Sequence, residues 1–409
     1  MKQKLFQAQK LTQPERDIFS FKNLLRAYYQ CRKSKRHTTN AAKFELNFEV
    51  ELLRLERELK NKSYEPGKHT CFAIIDPKLR EVWAADFRDR IVHHLLVSYL
   101  EPIWEKKFVF HSYACRKEKG AHKAIAYLKK SIDPKLFYLQ VDIRSFFVSI
   151  DKRILFAIIQ KHLRNPDILW LTEKIVFQNP TLNYCVKGDI KLLRSIPRHK
   201  SLFGNPSHQG LPIGNLTSQF FANVYLNELD QFVKHTLKCP HSFRYMDDLL
   251  LLHPSKTQLL FWRDEISQFV EKKLLLKLHP KKQVLQQCDK GINFCGYITK
   301  PDHILIRRGT VKKLKNTLWQ FNQKILNSLD PNDHLCACDK IFYDRFSVFP
   351  EFLEDFQHIF SSLNSTYGFF KHANCFGLRK TLYEKHFGIL KIYLRPADKN
   401  YAYFMWDEN

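Results

Sequence analysis

The sequence predicts an α+β fold, and three observations predict it. Apolar residues recur at helical spacing through several long stretches. The runs that read as strands are short and bounded by turn residues. Apolar residues make up 44% of the 409 residues and aromatics 14%, enough to bury a large core in about two or three domains.

Residues 20–62 read as helical. Leu24, Leu25, Tyr28 and Tyr29 share a face, and Phe44 to Leu59 repeats the pattern. Between them, Arg32-Lys33-Ser34-Lys35-Arg36-His37 is a basic loop suited to phosphate as well as to solvent. Tyr64-Glu65-Pro66-Gly67 is a turn that opens a new unit. Phe72–Ile75 and Glu81–Ala84 then read as a two-stranded ribbon turning at Asp76-Pro77-Lys78. A long helix follows from Asp86 to Leu100, and Leu139–Ile143 is a short apolar strand carrying Asp142. Helices fill about 151–177, a basic irregular insert spans Lys187–His208, and 218–237 is helical again. Phe243-Arg244-Tyr245 and Leu249–Leu252 flank Met246-Asp247-Asp248, which predicts a hairpin exposing two adjacent carboxylates at its tip. A basic, aromatic region of about 310–390 closes the pattern as helix. No repeat or low-complexity linker divides the chain, so its domains are expected to interleave.

Charge narrows the function. Lys and Arg number 67 against 41 Asp and Glu, leaving +26, a self-repulsion that a bound polyanion would relieve. No apolar run approaches the roughly 18–20 residues that span a bilayer, and no signal-like N-terminus is visible, so nucleic acid is favoured over membrane. The ten cysteines are scattered. Only Cys336 and Cys338 are close, a poor zinc signal, and most of the ten read as buried thiols of a reducing cytoplasm.

The chemistry lies in three acids. Packing the Asp142 strand against the hairpin would gather Asp142, Asp247 and Asp248 into a cluster that repels itself unless cations neutralise it. Two Mg²⁺ ions about 3.5–4 Å apart would do so, the arrangement used for nucleotidyl transfer.

At these residues the chain resembles a reverse transcriptase of the bacterial type, over about 20–380. Val141-Asp142-Ile143-Arg144-Ser145-Phe146-Phe147, Gly210-Leu211-Pro212-Ile213-Gly214-Asn215-Leu216-Thr217-Ser218-Gln219 and Tyr245-Met246-Asp247-Asp248 resemble three palm motifs in the family's order. Asp76–Glu81 and Phe87–His94 resemble finger motifs, and Ser112–His122 the motif after them. The resemblance implies a right-hand polymerase: an N-terminal helical region over 1–65, fingers over 66–138, a palm with antiparallel sheet over 139–300 (with an inserted segment at about 151–208), a helical thumb over 301–390, and a tail over 391–409.

It also implies roles. Asp142, Asp247 and Asp248, with Ile143, would hold the two Mg²⁺ ions. Lys282, rather than the adjacent Lys281, would protonate the leaving pyrophosphate. Lys78 and Arg80 on the ribbon would meet the triphosphate of the incoming dNTP, with Ile213 and Gln219 beside it. Phe147, five residues after Asp142 and taken with that apolar strand, would exclude a 2′-hydroxyl. Tyr245, Arg116, Lys119, Gly296 in Phe294-Cys295-Gly296-Tyr297, and Lys371 and His372 in Tyr367–Asn374 would touch primer or template.

Departures from the common pattern point further. Many relatives carry Gln at the position of Ile213 and Ser-Pro at Ser218-Gln219. An apolar wall loses a polar contact and should relax discrimination. Two bacterial groups share this pattern: defence enzymes that copy a structured noncoding RNA into cDNA, and the polymerases of diversity-generating retroelements. The leading expectation is the first, cytoplasmic, with a second subunit or a second copy as a conceivable partner. A silent RNA-binding scaffold is the reading from another class, and three retained acids argue against it.

Overall fold

The computed structural model describes residues 17–33, 35, 38–76, 78–327 and 349–407, the backbone alone for 349–353. Ser34, Arg36 and His37 of the basic loop, Pro77 of the ribbon turn, and Cys336 and Cys338 lie outside the described residues. The chain forms two compact units, one of residues 1–118, 140–250 and 260–283, the other of 119–139, 251–259 and 284–409.

The strands are β1 (His69–Ile74), β2 (Arg80–Ala84), β3 (Phe137–Ile143), β4 (Tyr184–Val186), β5 (His241–Tyr245), β6 (Asp248–His253), β7 (Leu278–Gln287), β8 (Ile292–Phe294), β9 (Tyr297–Thr299), β10 (Ile304–Ile306), β11 (Leu394–Pro396) and β12 (Phe404–Trp406). Four of them form the sheet that carries the acids, in the order β5-β6-β3-β7. Leu249, Leu250, Leu251 and Leu252 of β6 are all buried, so this strand is covered on both faces and shows no alternation.

The first unit begins with helices Phe21–Cys31, Thr39–Glu45 and Phe48–Lys60. The face shared in the first of them closes on Tyr28, whose ring stacks on Phe48 at 5.3 Å. The helix Phe87–Glu105 starts where expected, because the Asp86 side chain caps it by accepting from Arg88 N. Its Asp89 carboxylate is buried and accepts from Tyr64 Oη (2.7 Å) and Gly67 N (2.8 Å), fastening the Tyr64–Gly67 turn to this helix.

β1 and β2 pair antiparallel, with Cys71 opposite Trp83. A third strand, β4, runs parallel to β1 and completes the order β2-β1-β4. It lies just ahead of the insert and carried no strand signal of its own, since its three residues are exposed. The helix expected at 218–237 runs from Leu216 to Gln231 and ends in a wider turn, Phe232–Thr236.

In the second unit, β8 and β9 form a hairpin whose turn residues Cys295 (φ 48°) and Gly296 (φ 91°) are both left-handed. Helices Arg308–Leu326, Phe349–Phe370 and Phe376–His386 follow. The tail folds back on them: β11 pairs with β12, Phe404 is buried against Tyr367 and Phe387, and Trp406 stacks on Phe356 and Phe360. Among the described residues, no helix is long and apolar enough to cross a membrane.

Candidate active site

The sheet order sets β3, which carries Asp142, between β6, which begins at Asp248, and β7, which carries Lys282. β5 and β6 are joined by the two-residue turn Met246-Asp247, and Met246 takes the left-handed conformation (φ 58°). That conformation costs a non-glycine residue of order 1 kcal/mol, so something must hold it.

The holder is Arg244, only 2% exposed. It donates to both carboxylate oxygens of buried Asp230 (2.7 and 2.6 Å), to Asn223 Oδ1 (3.2 Å), to Ser112 Oγ (2.8 Å) and to the Met246 carbonyl (2.9 Å). A buried charge pair with its hydrogen bonds filled is rigid, and this one ends on the turn that presents Asp247.

Each acid has its own surroundings. Burial, then the charge of Asp142, pushes the Asp247 carboxyl above its usual range, against opposing pulls from its own backbone N–H, Lys282 and Arg80. Asp142 is tied to Lys282 Nζ at 2.7 Å, whereas no ion pair of Lys281 is found among the described residues. Asp248 accepts two bonds from Gln140 Nε2, at 2.9 and 2.8 Å. Among the described residues, no three His, Cys, Asp or Glu side chains converge closely enough to hold a metal ion. Of the three expected acids, Asp142 and Asp247 interact, and Asp248 accepts from the Gln140 amide. The pair suits a hard cation, since Asp247 is a desolvated carboxyl beside a second negative charge and oxygen is the donor such ions prefer.

The segment after β3 departs from expectation. Ser145 turns the chain left-handed (φ 49°), and Phe147 lies in a short helix, Phe146–Ser149, rather than in the strand. Phe146 is buried and Phe147 half-buried, with its carbonyl accepting from Leu211 N at 2.8 Å. The strand's apolar run continues past its end because this helix also packs inward.

Lys78 and Arg80 are exposed near the ribbon turn. The strand behind them is anchored. Buried Glu81 accepts from Trp83 Nε1, Ser201 Oγ and Leu202 N, and Trp83 N donates to the Ile213 carbonyl at 2.8 Å. Gly214 (φ 117°) closes on β2 so tightly that a Cβ would lie 2.8 Å from Val82 Cγ1. Ile213 is half-buried beside it, and Gln219 is exposed with its amide oxygen 3.5 Å from Cys115 Sγ.

Arg116 is a correction. Its side chain is 5% exposed, and its guanidinium donates to Glu105 and to the carbonyls of Val109 and Ser112. It braces its own loop rather than presenting itself to a template. Tyr245 is half-buried at the hairpin, and Lys119 is half-buried.

Within the second unit, Gly296, Lys371 and His372 gather around one aromatic group. A Cβ on Gly296 would sit 2.8 Å from Phe369, which stacks on Tyr297 at 4.1 Å, and His372 stacks on His122 at 3.6 Å. Lys371 is exposed beside them.

Sequence reasoning missed Arg244, Asp230, Gln140 and Glu81. A charged residue in a short strand that also carries a large aromatic side chain was the available signal for Arg244 and Glu81. Gln140 and Asp230 had none.

Residues 68–299, more than half of the chain, match the family "Reverse transcriptase (RNA-dependent DNA polymerase)". The chain is 24% identical over 308 residues to protein YkfC of Escherichia coli (strain K12), covering 66% of this chain and 74% of that protein. It is 20% identical over 330 residues to the group II intron-encoded protein LtrA of Lactococcus lactis subsp. cremoris, covering 65% of this chain but only 51% of LtrA, so it spans about half the length of that relative. Telomerase from Candida albicans, solved in complex with a fragment of telomeric RNA, aligns with a TM-score of 0.40 at 14% identity, covering 78% of this chain and 57% of that one. The chain belongs to the reverse transcriptase family, the RNA-directed DNA polymerases, and has their α+β right-hand fold.

Proposed function

We propose that this polymerase copies a bound, structured noncoding RNA into cDNA. The observation that carries the chemistry is the meeting of Asp142 with a desolvated Asp247 on a turn fixed from beneath by Arg244. Asp142 and Asp247, with Asp248 once it leaves Gln140, are the side chains suited to two Mg²⁺ ions, and Ile143 has only its backbone carbonyl to add. Bound there, the cations would supply Lewis acidity to the primer 3′-hydroxyl and to the departing pyrophosphate.

The protein's own groups do the rest. Lys282, which is paired with Asp142, would give a proton to the pyrophosphate oxygen. Lys78 and Arg80 would balance the triphosphate charge. Phe147, half-buried in its short helix, would lie under the sugar, and Ile213 and Gln219 would frame the nucleotide. Tyr245, Lys119, Gly296, Lys371 and His372 would bear on the primer–template duplex. Copying a dedicated RNA in antiphage defence is the leading biological setting and a diversity-generating retroelement the second, and the sequence pattern is common to both. Ile213 in place of a polar residue supports both.

The test replaces Asp247 and Asp248 together by Ala. Mg²⁺-dependent dNTP incorporation should vanish while RNA binding persists. Residual synthesis by the pure variant would remove these acids from the site.

A further inference from the structure

The segment between β4 and Leu202 presents a charged surface that none of these roles uses. Lys187, Lys191, Arg194, Arg198 and Lys200 are all exposed within fourteen residues, with His199 beside them. Asp189 is the sole acid of the segment, and its carboxylate is spent capping the helix Ile190–Arg194 by accepting from Lys191 N and Leu192 N. Among the described residues, none of the five cations has an ion-pair partner. A run of like charges ordinarily reads as a solvated, self-repelling loop.

This one is held in place. Leu193, Ile196 and Leu202 sit in a buried cluster with Cys71 and Trp83, and the Glu81 carboxylate grips Ser201 Oγ and Leu202 N. The cations are thus displayed on a fixed base instead of spreading apart. An aromatic platform stands next to them. Tyr184 of the outer strand β4 is 37% exposed, propped edge-on against Trp83 (5.5 Å) and Phe203 (5.3 Å). Ordered cations beside a supported, part-exposed ring match the phosphates and bases of an RNA strand.

We infer that the 184–200 surface is a second RNA-binding surface, which takes the backbone of the template RNA outside the duplex being extended. The inference rests on the proposed copying of a structured RNA. It makes that RNA a tethered ligand of the fingers-side insert as well as a template.

The test uses the full chain and two probes: an RNA template annealed to a DNA primer, and the same duplex whose template continues into a stem-loop. A variant carries Lys187→Gln, Lys191→Gln, Arg194→Gln, Arg198→Gln and Lys200→Gln. The wild type should bind the stem-loop probe more tightly than the bare duplex, and the variant should bind both alike. If all five cations meet phosphate, raising salt from about 50 to about 200 mM should weaken stem-loop binding about a hundredfold more for the wild type than for the variant. Incorporation of dNTP on the bare duplex should not change. The charge-keeping variant Arg194→Lys with Arg198→Lys should retain the preference, which separates lost charge from lost folding. Equal weakening on both probes, or a preference that survives the five substitutions, would overturn the inference. So would binding to anionic phospholipid vesicles, lost in the variant, without any preference for the stem-loop. A wild type that prefers the stem-loop yet incorporates no dNTP would instead sink the polymerase reading and leave this surface standing.

Discussion

The hairpin that carries Asp247 and the ribbon that carries Lys78 and Arg80 are built in opposite ways. The hairpin rests on a buried guanidinium whose bonds run to Asp230, Asn223, Ser112 and the turn itself. The ribbon is anchored at its base, by Glu81, by the Trp83–Ile213 bond and by the pairing of β1 with β4, while Ile75, Lys78 and Arg80 are exposed. Under the proposed function, acids that bind metal and primer at one geometry would gain from being fixed before substrate arrives. On the same reading, exposed cations on the ribbon are open to an incoming triphosphate.

Removing the hairpin's support should have the largest effect. Arg244→Met leaves the Asp230 carboxylate buried and unpaired, and should lower stability by about 3–5 kcal/mol. The readout is a fall in the urea midpoint at an unchanged slope. Adding Asp230→Leu should restore most of the stability, because an apolar pair can replace a buried ion pair. Incorporation should stay depressed even so, since the Met246 carbonyl still lacks its donor. Full recovery of both would make the pair a foundation of the fold and no positioner of the turn. An Arg244→Met protein as stable as the wild type would break the contrast outright.

The ribbon should respond the other way round. Lys78→Ala with Arg80→Ala removes two exposed cations, so stability should stay within about 0.5 kcal/mol. Each charge-assisted bond lost to the triphosphate is worth roughly 1.5–3 kcal/mol, so the dNTP concentration for half-maximal rate should rise tenfold or more. Steady-state kinetics at saturating template measures it. An unchanged dNTP requirement would take the ribbon tip out of the nucleotide site.

The sequence disclosed the hairpin and the ribbon unequally as well. The apolar runs around Met246-Asp247-Asp248 and the turn residues at Asp76-Pro77-Lys78 are local signals, and both elements form where those signals place them. Partners far apart in the chain were illegible. Asp230 and Ser112 meet Arg244 through tertiary packing, Gln140 meets Asp248 across strands, and Ser201 meets Glu81 over 120 residues. Phe147 was placed in a strand because period and polarity alone do not distinguish a strand's end from a buried helical turn. Arg116 misled for a related reason: a basic residue in a basic protein reads as a nucleic-acid contact until its carboxylate partner, Glu105, is seen.

The smallest effect concerns the ribbon's root, where acid should act before it reaches the hairpin. His69 begins β1 and His93 lies on the helix Phe87–Glu105; both are buried, and among the described residues His93 Nδ1 has no hydrogen-bond partner. Burial pushes His69 down to about 4 and His93 down to about 3, from an ordinary value near 6.5. Both rings are therefore neutral in the fold. Below about pH 6.5 the unfolded chain takes up protons that the folded chain refuses, so stability present above that pH is lost as pH falls toward 4. Each ring should cost about 1–2 kcal/mol by about pH 5. Burial also lowers His94, to about 4, which adds in the same sense. Replacing His93 by Leu removes one of these protons, so the loss of urea stability between pH 7 and pH 5 should shrink by about 1–2 kcal/mol. Amide exchange at pH 5 locates the effect: β1 and the helix Phe87–Glu105 should lose protection while β5 and β6, pinned by the Arg244–Asp230 pair, keep theirs. Simultaneous loss in all four would mean that ribbon and hairpin open as one cooperative unit, and the difference between them would lie in their exposed tips alone.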